Sequence, residues 1–328
     1  MGKRKSVRKL TYFCIILILV LAMIYGGLRI LESTVFYRND EQESVTVGKT
    51  VVKDGVKYFP RQDITVIMLM GIDQPGPAQD SGSYNNPGLA DVVMLAVFDE
   101  KEEQCSILSI NRDAMVEIPV LGIGGKNAGT TTGQLALAHT YGSGLEDSCE
   151  NTRQAVSDFL GGINIDYYIS MRVDAVATLN DAVGGVTVNV VDDFSAVDPS
   201  LTMGTLTLKG KQAQTFVQTR RNVGDEMNLS RIERQKQYMN GFAEAFRETV
   251  KNSDSGFVLD TYNEGAPYLV SDLPVSNLTS MVERYIDYPL SAVLSLEGEN
   301  RRGEEFMEFY ADEEKLEELR LALFYAPK

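Results

Sequence analysis

The chain is acidic, with a formal net charge of −15, yet one stretch, FVQTRRNVGDEMNLSRIERQKQY from Phe216 to Tyr238, gathers Arg220, Arg221, Arg231 and Arg234. Ser230-Arg231-Ile232-Glu233 has the spacing of a capping box, which predicts a long helix from near Ser230 to about Val250. Arg231 and Arg234 then fall in its first turns, where the helix already presents partial positive charge. Each costs on the order of 0.3–1 kcal/mol unless something compensates. An anion reverses that sign, because backbone N–H groups and guanidinium forks then point at it together. On a helical wheel Arg231, Gln235 and Tyr238 share a face, beside an apolar stripe of Ile232, Met239, Phe242 and Phe246. That stripe reads first as core and second as the wall of a cleft. The competing reading of the arginines pairs them with Asp225, Glu226 and Glu233 as surface salt bridges, each worth little.

A second group of candidates ends apolar runs. ITVIMLMGID closes on Asp73, DVVMLAVFD opens on Asp91, and CSILSIN leads into Arg112 and Asp113. Each run reads as a buried strand. Consecutive strands on short connections pair antiparallel, so the first runs up, the second down and the third up. That order brings Asp73, Asp91, Arg112 and Asp113 to one sheet edge. Carboxylates beside guanidinium groups there suit a phosphorylated ligand and a metal, and turn capping is the other reading of the two aspartates.

These residues need a frame. The length of 328 residues and a 44% hydrophobic composition allow a full core in one large or two small domains. Beyond the three strands, helices are predicted over QLALAHTYG, 150–162, 174–185, from Lys211, within SDLPVSNLTSMVERYI, and over DEEKLEELRLALF as an acidic, solvated face. Strands are predicted in IDYYISMRV, VTVNVV, GTLTL and AVLSLEGEN, and a Gly/Thr-rich loop over 122–133. Irregular alternation of this kind fits an α/β fold, a mixed sheet covered by helices. No GxGxxG follows a strand and no GxxxxGK[ST] is present, which argues against dinucleotide and P-loop folds. The acidic balance argues against a general nucleic-acid partner.

The N-terminus predicts a membrane anchor, with a cleaved signal peptide as the other reading. Lys3, Arg4, Lys5, Arg8 and Lys9 form a basic tail over 1–9, followed by an apolar run from Leu10 to Leu28, long enough to cross a bilayer as a helix. Positive charges stay cytoplasmic, so everything after Arg29 is expected outside the cell. Residues 29–62 read as a stalk or edge element and 63–328 as the extracellular domain. Cys105 and Cys149 are open to two readings, one disulfide or two buried thiols, and no Cys/His spacing suggests zinc. The single histidine, His139, reads as a packed, hydrogen-bonded residue rather than a catalytic one.

Taken in order, GID (Gly71–Asp73), ADVVML (Ala90–Leu95), SINRDAMVEIP (Ser109–Pro119), LALAHTYG, IDYYISM, LNDAVGGVTVNV, LTLKGKQAQTFVQTR and SRIERQ resemble the LytR-CpsA-Psr family of bacterial envelope proteins over roughly 63–250. The resemblance implies an α/β/α fold with a largely antiparallel central sheet. It implies a phosphotransferase that moves a glycopolymer such as teichoic acid from a polyprenyl-pyrophosphate carrier to peptidoglycan, with magnesium or another divalent cation. It places metal carboxylates on Asp73 and Asp91, a strand-end arginine on Arg112 beside Asp113, and a second pyrophosphate-binding cluster on Arg220, Arg231 and Arg234 with Gln235 next. Arg112, Asp113 and Arg220 are the catalytic candidates, Asp113 either orienting Arg112 or acting as base. This chain departs from the pattern at Leu89, Gln218 and Asn228, where many members carry Arg, Arg and an acid. Arg221 is a candidate pyrophosphate-binding substitute for one lost fork, with a different direction. The same clamp would also serve a pyrophosphatase, or a scaffold that binds lipid-linked glycans without turning them over.

Overall fold

The computed structural model describes residues 50–122, 125–219, 222–223, 228–253, 257–304 and 306–327. The basic tail and the Leu10–Leu28 run lie outside the described residues. Among the described residues no helix is long and apolar enough to cross a membrane.

The strands are β1 (Val51–Lys53), β2 (Val56–Pro60), β3 (Ile64–Ile72), β4 (Ala90–Asp99), β5 (Gln104–Ile110), β6 (Met115–Leu121), β7 (Asn127–Gln134), β8 (Tyr167–Arg172), β9 (Thr187–Val190), β10 (Gly204–Thr207), β11 (Leu269–Ser271), β12 (Leu290–Ser295), β13 (Gly298–Arg302), β14 (Met307–Ala311) and β15 (Tyr325–Pro327). The helices are α1 (Glu146–Phe159), α2 (Ala175–Ala182), α3 (Lys211–Gln218), α4 (Asn228–Asn252), α5 (Phe257–Gly265), α6 (Val275–Tyr285) and α7 (Glu313–Phe324). Two short 3-10 helices, Leu135–Thr140 and Ala266–Tyr268, complete the described elements.

The central sheet has six strands in the order β11-β8-β3-β4-β5-β12. It is mixed and mostly antiparallel: β3–β4, β4–β5 and β8–β11 are antiparallel, and β3–β8 and β5–β12 are parallel. The up-down-up order expected of the first three apolar runs is the order found. Val66 to Met70 are buried in succession because β3 is covered on both faces, so its sequence reads as a continuous apolar run rather than an alternating one. Each such side chain contributes about 1.5–3 kcal/mol of burial.

Helices cover both faces. One core carries Ile67, Leu69 and Ile107 of the sheet against Leu179, Phe216, Phe242, Phe246 and Tyr262 from α2 to α5. The other carries Met68, Leu95 and Leu108 against Leu135, Cys149, Val156 and Phe324. Cys105 belongs to the first core and Cys149 to the second, and both are buried thiols not joined in a disulfide, with the sheet between them.

Among the differences from expectation, two bear on the site. The Gly/Thr-rich segment contains a strand, β7, paired antiparallel with β6, because a run of β-branched threonines suits a pleated pair as well as a loop. Helix α4 begins at Asn228, so Ser230 lies within its first turn and is not the cap. The end of the expected stalk folds as an edge element, with β1 on β2 and β2 on the C-terminal β15.

Candidate functional site

The C-terminal ends of β3, β5 and β8 and the N-terminal end of β4 share one edge of the sheet. The register between β3 and β4 shifts there, from Gly71 opposite Val92 to Ile72 opposite Ala90, and leaves Asp91 as the extra residue of a bulge. A bulge re-aims a side chain that regular alternation would bury or face away. Asp73 and Asp91 both donate their backbone N–H to the Leu89 carbonyl, at 3.0 and 3.1 Å. Residues expected together from strand order alone are thus tied to a single oxygen.

The loop leading to Leu89 is held from below. Asn86 is buried and donates through Nδ2 to the carbonyls of His139 (2.7 Å) and Gly142 (3.0 Å) and to Ser148 Oγ (3.1 Å), while its Oδ1 accepts from Gly88 N–H at 2.8 Å. His139 Nδ1 donates to the Gly88 carbonyl at 2.8 Å. Burial lowers the His139 pKa to about 4, so the ring is neutral and serves as a strut, as its sequence context suggested. Gly88 has no room for a side chain: a Cβ there would lie 2.9 Å from both Asn86 Oδ1 and Gln74 Oε1.

Arg112 stands at the other end of the edge. Its Nη1 donates to Asp91 Oδ1 and its Nε lies 3.5 Å from Asp113 Oδ1, with the guanidinium side chain 42% exposed. Asp113 Oδ1 also accepts from Gln134 Nε2 at 2.7 Å, and the same Nε2 donates to the Met307 carbonyl at 2.8 Å. Gln134 therefore fixes Asp113 against the β13–β14 hairpin. Two carboxylates hold one arginine whose face is open to solvent.

The second arginine cluster is arranged differently. Arg220 and Arg221 lie outside the described residues, as does the side chain of Arg231. Arg234 requires a correction. It is 3% exposed and its guanidinium is occupied by protein: Nε donates to the Phe216 carbonyl at 3.0 Å, Nη2 to the Thr219 carbonyl and Nη1 to Asp192, while the group stacks over the Phe194 ring at 5.3 Å. Gln235 Nε2 donates to the Val217 carbonyl at 3.0 Å. Both side chains thus satisfy the last carbonyls of α3, which a helix end leaves orphaned. Arg234, expected to bind pyrophosphate, is instead a buried C-cap that sets where the chain leaves α3, just before Arg220. The physical reason is its place on the line Arg234, Tyr238, Phe242, Phe246, four apart and all buried.

Asp73 is exposed at the end of β3. It and Asp91 offer carboxylate oxygens at one edge, and among the described residues no group of three or more His, Cys, Asp or Glu is arranged to hold a metal ion. That donor set fits magnesium, which is commonly held by one or two carboxylates with water and phosphate oxygens completing the shell. Among the departures, the Leu89 side chain is half-buried and Gln218 is exposed on α3. Sequence reasoning passed over Asn86 and Gln134, which carry no motif, and Arg172. Arg172 could have been found by the signal that found Arg112, a charge closing an apolar strand.

The model of the LytR_cpsA_psr family matches residues 32–324. A protein of Oceanobacillus iheyensis called polyisoprenyl-teichoic acid–peptidoglycan teichoic acid transferase TagU is 25% identical over 277 residues, covering 82% of this chain and 79% of that protein. The protein of the same name from Enterococcus faecalis is 28% identical over 232 residues, covering 71% and 69%. Among solved structures, protein gbs0355 of Streptococcus agalactiae superposes with a TM-score of 0.61 at 21% identity, covering 80% of this chain and 86% of that one.

Proposed function

The chain belongs to the LytR_cpsA_psr family, and from that premise we propose that it is a membrane-anchored transferase. It moves a glycopolymer, teichoic acid in the relatives' names, from a polyprenyl-pyrophosphate carrier to peptidoglycan. The observation that carries this reading is the sheet edge, where Asp73 and Asp91 share the Leu89 carbonyl and Arg112 is braced between Asp91 and Asp113.

The reaction is a phosphoryl-type transfer. An acceptor hydroxyl oxygen forms a bond to the phosphorus that bears the glycan. The bond from that phosphorus to the bridging oxygen breaks, and polyprenyl phosphate leaves with the hydroxyl proton. Charge grows on the leaving phosphate, and a guanidinium already aimed at it stabilises the transition state more than the ground state. Arg112 has that role here, and Arg220 and Arg231 are the further donors that the reading calls for. Asp113, engaged by both Arg112 and Gln134, orients Arg112. Arg234 and Gln235 position the chain that carries Arg220. Asp73 and Asp91 would hold magnesium, which neutralises diphosphate charge when bound. A membrane anchor at the apolar run from Leu10 to Leu28 would keep the domain outside the cell and near its lipid substrate, raising the effective concentration.

The test incubates the purified protein with a lipid-diphosphate oligosaccharide, magnesium and peptidoglycan chains. Labelled sugar on the chains supports transfer. Free sugar phosphate identifies a pyrophosphatase. Retained lipid with neither product identifies a binding scaffold, the reading that the missing donors at Leu89 and Gln218 favour. Magnesium binding is checked separately by calorimetry on the Asp73→Asn and Asp91→Asn variants, each of which should weaken it.

A further inference from the structure

Arg172 ends β8 with its Cα in register with Ile72, the last residue before Asp73. Along the edge the order is Arg172 on β8, Asp73 after β3, Asp91 on β4 and Arg112 after β5. With strands about 4.8 Å apart, Arg172 and Arg112 start roughly 14 Å from each other, with both aspartates between them.

The Arg172 side chain is 4% exposed, and among the described residues no hydrogen bond or ion pair reaches its guanidinium. The little surface it keeps includes its nitrogens, none of which is sealed off. Its neighbours do not balance the charge. Burial pulls its pKa down, and the group acting the other way is the Cys149 thiol, which burial pushes up and so keeps neutral. His139, which also feels Arg172, is neutral as well. His139 Nε2 under the 73–89 loop and Gln74 Oε1 within it are buried acceptors with no partner among the described residues. A buried cation without a counter-charge is destabilising, and an arriving anion reverses that. Arg112, by contrast, already has two carboxylates.

We propose that Arg172 is a second oxyanion-binding residue of this edge, taking a phosphate oxygen of the ligand from the side opposite Arg112. The ligand chemistry is a phosphate group, either the diphosphate of a lipid carrier or a phosphodiester of the polymer. This rests on reading the edge as a site for a phosphorylated ligand.

The experiment follows thermal unfolding of the full-length protein in an anion-poor buffer, titrated with inorganic diphosphate or with a glycerol-phosphate diester oligomer. Wild type is compared with Arg172→Met, Arg172→Lys and Arg112→Met. Arg172→Met should be at least as stable as wild type without anion, and its apparent affinity for one of the two anions should fall about tenfold or more. The anion whose stabilisation is lost names the source. Arg172→Lys should also bind more weakly, because an ammonium lacks the fork. A wild type that responds to neither anion, or an Arg172→Met that is destabilised yet binds both normally, overturns the proposal. Should Arg172→Met not fold, unchanged affinity in Arg172→Lys overturns it equally. If Arg112→Met loses diphosphate and Arg172→Met does not, the site reading stands and this inference falls. If Arg172 binds phosphate but no sugar is transferred, the transferase reading is the one that falls.

Discussion

Arg112 and Arg234 each pair with an aspartate, and the two pairs do opposite work. Arg112 sits at a strand end with its guanidinium half open, braced by Asp91 and Asp113. Arg234 sits inside α4, sealed, with Asp192 and two main-chain carbonyls as its partners. The first pair leaves a charged face for something else to use. The second uses its charge up. An arginine in a motif is therefore a ligand contact or a strut according to what its neighbours already take from it.

The largest effect expected from this contrast is on folding. Arg234→Met leaves the half-buried Asp192 without its partner and strips the end of α3, and should cost about 3 kcal/mol, read from urea unfolding. Arg234→Lys should recover only part, because one ammonium cannot reach three acceptors set in a fork. Near-native stability in either variant would erase the distinction between the two arginines.

Arg112→Ala tests the other half. An exposed pair adds about 0–1 kcal/mol, so unfolding should barely move. Transfer should drop about 10²–10³-fold if the guanidinium meets charge developing on phosphate. A stability loss as large as that of Arg234, or full transfer, would contradict its assignment.

A smaller effect concerns the loop that sets Asp91. The folded His139 pKa of about 4 lies below the ordinary 6.5, so the unfolded chain binds the extra proton between those values. His139 therefore contributes stability that is present above pH 6.5 and is lost as pH falls through 4, up to about 3 kcal/mol. Asp272, raised to about 6 by burial, acts with the opposite sign, losing stability as pH rises from about 4 to 6. The difference between wild type and His139→Gln across pH 4–7 isolates the histidine, and a flat difference would show that it is not held neutral.

The smallest effect is expected at the departures. Gln218→Arg restores a donor on exposed α3 and should raise turnover by less than about tenfold. A larger rise would mean that the present clamp is incomplete and would favour the scaffold reading of the native chain.

Much of this was legible beforehand. Apolar runs of strand length marked β3, β4 and β5, and short connections set their order, so Asp73, Asp91, Arg112 and Asp113 were placed together without coordinates. The β7 strand was missed because threonine and glycine serve loops and pleated pairs alike. The role of Arg234 was missed because Asp192 lies 42 residues away and carries no local signal. Arg172 was missed because the strand that holds it was read only for its apolar residues.

What the sequence determined by itself was the edge: which residues end which strands, and on which side of the sheet they meet. Periodicity and chain connectivity are local properties, and they suffice for that. Only the tertiary structure decided which guanidinium groups remain available, because availability depends on burial and on acceptors brought in from distant segments. It also decided that Asp91 sits in a bulge on the Leu89 carbonyl, a consequence of strand register that no single strand contains.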